Sequence, residues 1–204
     1  MGLNVERGRR GPTAYSQYIE TWRNNWISWM EELFCDLYAV YTLGPAFVWA
    51  HFHLTVTRGN GDPFRVPLFG RTEHPPDAAR MAVMLSALRK IGFDEEARAI
   101  DLRWGKLVAL NSFAAQPEYY RCFPASLMDI IVSSAYDGVV AMKSAVISRN
   151  CFPAVAAMLN EAWQRLWQAP QKYVEWEAST VRAYRGRIGR VSSSATSPQR
   201  LRVT

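Results

Sequence analysis

The chain is poor in the residues that staple or activate small proteins. Three cysteines, Cys35, Cys122 and Cys151, occur in 204 residues, and no C-x-x-C pair is present. That odd, scattered set excludes a disulfide framework and a thiolate zinc cluster, and a reducing, cytoplasmic compartment is expected. The opening Met-Gly-Leu-Asn-Val-Glu-Arg has no apolar run of the signal-peptide type. Glu6 stands where N-myristoylation wants Ser or Thr. There is no G-x-S-x-G elbow and no glycine-rich phosphate loop, so neither a serine hydrolase nor a nucleotide-binding enzyme is expected. No alternation of strand type and no internal repeat is visible.

Acid is missing from the C-terminal end. Of the 24 Lys and Arg residues, six arginines lie after Thr180 with no Asp or Glu among them, and the other 18 match the 18 acids. The net charge of +6 therefore belongs to residues 185–204 and their approach, and not to a basic face of the fold. This stretch is expected to be a disordered Arg/Ser-rich tail. Contact with nucleic acid through it is the lesser alternative, because Tyr184, just before it, is the lone aromatic there.

Apolar residues, in contrast, make up 49% of the chain, enough for a sizeable core. Eight tryptophans fall in stretches of helical pattern and read as core or interface residues. The expected fold is all-α: a flexible stretch over 1–12, one helical domain over 13–184, and the tail. A first helix is capped by Thr13 or Ser16 and runs to about Leu43, where Gly44-Pro45 breaks it. A second runs over 46–57, followed by an irregular stretch from Arg58 to His74. Pro75 and Pro76 open a helix that Gly92 stops. Further helices are expected over 94–113, 126–148, 153–168 and 171–184. Residues 37–57 carry no formal charge and are long enough to span a bilayer, but His51, His53, three threonines and the Gly-Pro break favour a buried helical pair.

The chemistry concentrates at Glu32 and Asp36. Four residues apart on a helix, they share one face within a strongly apolar segment. Two such carboxylates repel and lose hydration, so they need a cation, a histidine or an arginine such as Arg23, Arg80 or Arg89. Cys35 between them reads as a buried, inert thiol. The E-x-x-x-D pattern resembles the third-ligand motif of gluzincin metallopeptidases. The segment Thr72-Glu73-His74-Pro75-Pro76-Asp77-Ala78-Ala79-Arg80 is similar to the T-H-P-P-x-x-x-R segment of the CAAX-processing and heat-shock type of metalloproteases, with Glu73 as a one-residue insertion.

The resemblance covers residues 26–92 and implies zinc as cofactor, Glu32 as a ligand, Asp36 as the residue that orients a histidine ligand, and His74 and Arg80 as matching motif positions. The H-E-x-x-H helix of that family is missing from the sequence. His51 and His53 project about 200° apart on a helix and do not replace it. The site implied is thus the second half of a zinc site, inactive alone. Its first half would come from a protein partner or from a further N-terminal segment; otherwise the chain is a pseudoenzyme that has lost the metal. The rival reading is a non-enzymatic helical scaffold or protein-binding module.

Overall fold

A computed structural model describes residues 12–59, 61–67 and 70–194. The flexible stretch expected over 1–12 falls almost wholly outside these residues, as does the end of the expected tail. Among the described residues the elements are α-helices and one 3-10 turn, with no strand; a lone β-bridge joins Ser148 and Cys151. The all-α expectation holds. None of these helices is long and apolar enough to cross a membrane.

The chain divides into two compact units, Met1–Ala157 and Met158–Thr204. In the first, α1 (Pro12–Leu43) turns into α2 (Pro45–Arg58), and after an irregular stretch come α3 (Asp77–Lys90), α4 (Asp94–Leu110), the short α5 (Pro117–Cys122) and α6 (Ala125–Ala141). Helix α1 buries Trp29, Leu33, Leu37, Val40 and Tyr41 completely, a stripe at spacings of three and four. Helix α3 packs against α1, α2, α4 and α6 at once. That central position explains why Ala79, Met81, Val83, Met84, Ala87 and Leu88 are all buried although they circle the helix.

Glycine makes the first turn possible. Gly44 has φ 69°, and a Cβ there would lie 2.6 Å from Ile147 Cδ1. Pro45 then supplies the first residue of α2, where its missing N–H costs nothing. Gly92, at φ 86°, ends α3 as expected: Phe93 N–H donates to Leu88 O and Gly92 N–H to Arg89 O, a Schellman stop.

Two helices end earlier than expected, by the same device without glycine. Helix α4 stops at Leu110 and not at Phe113, with Ser112 at φ 53°. Helix α6 stops at Ala141 and not at Ser148, with Lys143 at φ 56°. In each case the next residue's N–H bonds back five residues, Phe113 to Val108 O and Ser144 to Val139 O. The early end of α6 frees Ile147, which is 2% exposed and donates its N–H to Tyr41 O at 2.9 Å.

The second unit holds most of α7 (Ala154–Gln168), the 3-10 turn Pro170–Lys172 and α8 (Tyr173–Ser194). Arg165 pairs with Glu161 one turn before it and lies over the Trp176 ring. Helix α8 runs to Ser194, past the end expected at Tyr184, so the start of the arginine-rich segment is helical.

Candidate functional site

Helix α1 presents Asn25, Glu32 and Asp36 on one side, because steps of seven and four residues return nearly to the same face. Helix α3 and the segment before it bring His74, Asp77 and Arg80 to that side, and α2 contributes His51. All four motif residues read from the sequence therefore meet.

They do not meet equally. Arg80 donates from Nε to Asp36 Oδ2 and from Nη2 to Asp36 Oδ1, both at 2.7 Å. This is a two-pronged guanidinium–carboxylate pair, and both partners are largely buried, at 16% and 3% side-chain exposure. Burial works against the Arg80 charge, but the Asp36 hydrogen bond and the charges of Asp36, Glu32 and Asp77 outweigh it, holding the guanidinium above its ordinary pKa. Of the three arginines considered as partners for the acids, Arg80 is the one chosen; Arg89 instead bonds Asp101 at 2.9 Å. Both Asp36 oxygens accept from the one guanidinium, so Asp36 braces Arg80.

Glu32 is placed differently. Its Oε2 lies 3.2 Å from His74 Nδ1 and 3.6 Å from Arg80 Nη2, and its side chain is 34% exposed, His74's 63%. One carboxylate of the pair is thus locked inside the protein while the other sits at the rim, with an exposed imidazole beside it. Cys35, expected to be buried, is instead exposed, on the turn of α1 between the two acids, and is unbonded to another cysteine.

Three residues of the cluster were not singled out as site positions from the sequence. Asn25, 2% exposed, donates from Nδ2 to Gly70 O and accepts from Thr72 N–H through Oδ1, both at 3.0 Å. Asp77 opens α3. His51, expected to be a core or boundary residue, is buried, and its Nε2 stands 3.8 Å from Asp77 Oδ1, too far for a hydrogen bond. Burial pushes the His51 imidazole down to about 4; Arg80 and Arg58 act in the same direction, and Asp77 and Asp36 oppose. The recess beside it, lined by Leu54, Thr55, Arg58, Asp77 and Arg80, has room for about one water molecule. The sequence signal for Asn25 is its place two helical turns before Glu32 on the same face.

A zinc ion needs three or four donors at about 2.0–2.3 Å. Among the described residues no three His, Cys, Asp or Glu side chains come together in that way. Those described residues therefore do not by themselves make a zinc site, and Arg80, 3.6 Å from Glu32 Oε2, opposes a cation on that oxygen. The chain matches no protein family, no curated protein and no solved structure.

Proposed function

We propose that this chain is a metallopeptidase-related protein that carries the third-ligand half of a zinc site and has no peptidase activity by itself. The observation behind this reading is the convergence of Glu32, Asp36, His74 and Arg80. Two motifs some forty residues apart, similar in order to those of gluzincins, fold onto each other and leave Glu32 at the surface of the cluster. An arginine-locked Asp36 and an accessible Glu32 suit a helix whose remaining ligands come from elsewhere, from a partner protein or a further segment of the polypeptide.

The test is the metal content of the native assembly, isolated from its source through a tag on this chain. Zinc at about one equivalent, lost on Glu32→Gln without loss of the assembly, is the expected result. An assembly free of zinc would overturn the reading. The chain alone is expected to leave casein intact, and chelator-sensitive cleavage by it would overturn the incomplete-site part.

A second reading has its own observation. On another face of α1 Ile27, Met30, Phe34 and Tyr38 are 38–49% exposed at helical spacing. Met30 and Phe34 line a shallow apolar recess with Ile131, Ser134 and Ala135 of α6. A helical protein-binding module would use such a row and would be indifferent to Glu32→Gln.

A further inference from the structure

Between α2 and α3 the described residues 61–67 and 70–76 hold no helix or strand, yet this segment delivers His74 to within 3.2 Å of Glu32. Something must fix its course. Downstream of His74 the fastening is the Arg80–Asp36 pair. Upstream, the Tyr119 ring against Phe64 and the Ala78 N–H donating to Pro63 O hold the beginning of the stretch, and Asn25 grips the part next to His74.

We propose that Asn25 is a positioning residue for the Glu32–His74 corner, holding the backbone of residues 70–72 against α1 so that His74 faces Glu32. The assignment deepens the half-site reading, on which its meaning for a metal rests. A carboxamide has one donor edge and one acceptor edge, and Asn25 uses both on the same short run of backbone, Nδ2 to Gly70 O and Oδ1 from Thr72 N–H. It thereby acts as a neighbouring β-strand would, pairing with alternate peptide groups. Asn25 itself is almost wholly buried, whereas Thr72 is half-buried and Gly70 exposed, so the clamp reaches from the interior to a backbone run near the surface.

The next link is direct. Thr72 Oγ1 donates to His74 O at 2.9 Å, so the residue whose amide Asn25 holds also ties down the backbone of His74. Asn25 precedes Glu32 by seven residues, an angular offset of about 20°. One face of α1 thus carries the clamp, the rim carboxylate and the buried carboxylate in order, and the incoming chain meets them in that order at Thr72, His74 and Arg80. Neither aspartate nor leucine reproduces the clamp. A carboxylate has no donor for Gly70 O, and leucine matches neither backbone group.

Nuclear magnetic resonance on the whole chain tests this. In the unmodified protein the Thr72 amide should exchange with solvent slowly. In Asn25→Leu that exchange should speed up by about tenfold, the scale of one hydrogen bond. The contact signal between the His74 ring and the Glu32 side chain should be lost with it. The Arg80 Nε–H resonance, held by Asp36, should stay in place, which a general loosening of the fold would not allow. An unchanged His74–Glu32 contact in Asn25→Leu would overturn the proposal. So would a Thr72 amide that exchanges at the free-peptide rate in the unmodified protein, and this second readout needs no variant to fold. Neither measurement involves zinc, so a failure of the metal reading is seen separately.

Discussion

Asp36 and Glu32 are one helical turn apart, bear the same charge and belong to the same motif, yet the structure uses them in opposite ways. Asp36 is 2% exposed and spends both oxygens on one guanidinium. Glu32 keeps a third of its surface in water and shares one oxygen between an imidazole and a more distant arginine nitrogen. The difference follows from where α3 crosses α1. Arg80 emerges one turn into the central helix, deep in the contact, whereas His74 comes from the loop that leads to it. A charge pair inside is a fold determinant; a charge at the rim is available for chemistry. The same E-x-x-x-D pattern supplies both.

Removing Arg80 should give the largest effect. Arg80→Met leaves Asp36 buried and unpaired, and loss of one member of a buried pair typically costs about 3–5 kcal/mol. Urea denaturation at pH 7 measures it. Arg80→Lys should fall between the two, since an ammonium ion keeps the charge but offers no planar fork for both oxygens. Equal stabilities for Met and the unmodified chain would show that the two acids differ less than their burial implies.

His51 extends the comparison to pH. Its folded pKa of about 4 lies below the ordinary 6.5, so the unfolded chain takes up the proton first as pH falls. Between about 6.5 and 4 the unfolded state binds more protons, and folding stability declines with falling pH by up to about 3 kcal/mol. Above 6.5 the contribution is fully present. The groups that face this imidazole are Arg80, Asp77, Asp36 and Arg58, so the closed end of the cluster carries the acid sensitivity. His51→Asn should start less stable and show a flatter profile across that window. The difference between the two profiles isolates the imidazole, and parallel profiles would assign the acid sensitivity elsewhere.

The parts of this site that were legible in the sequence are those governed by local spacing. Glu32 and Asp36 had to share a face, and a buried acid pair had to find a base; Arg80 was among the candidates because a second motif ended on it. The breaks at Gly44 and Gly92 were legible because positive φ is ordinary for glycine. The stops at Ser112 and Lys143 were not, since nothing in serine or lysine announces that conformation. Asn25 was hidden for another reason. A polar residue on a long helix normally faces water, and its two partners lie 45 and 47 residues further on. His51 stood in an apolar run, and only the fold brings it to Asp77. Long-range polar pairings of this kind leave no period in a sequence.

The smallest effects are expected at the open end, and their smallness is informative. Glu32→Gln should change stability by about 1 kcal/mol or less, the range for pairs in contact with water. His74→Ala, removing a side chain 63% exposed, should stay within about 0.5 kcal/mol. A carboxylate needed for the fold would not be so dispensable. If Glu32→Gln proved as damaging as Arg80→Met, Glu32 would be a second structural acid and the half-site reading would lose its free ligand. If it is mild and the native assembly loses its zinc, the turn of helix between Asp36 and Glu32 marks the boundary between what holds α1 to α3 and what the cluster offers to the outside.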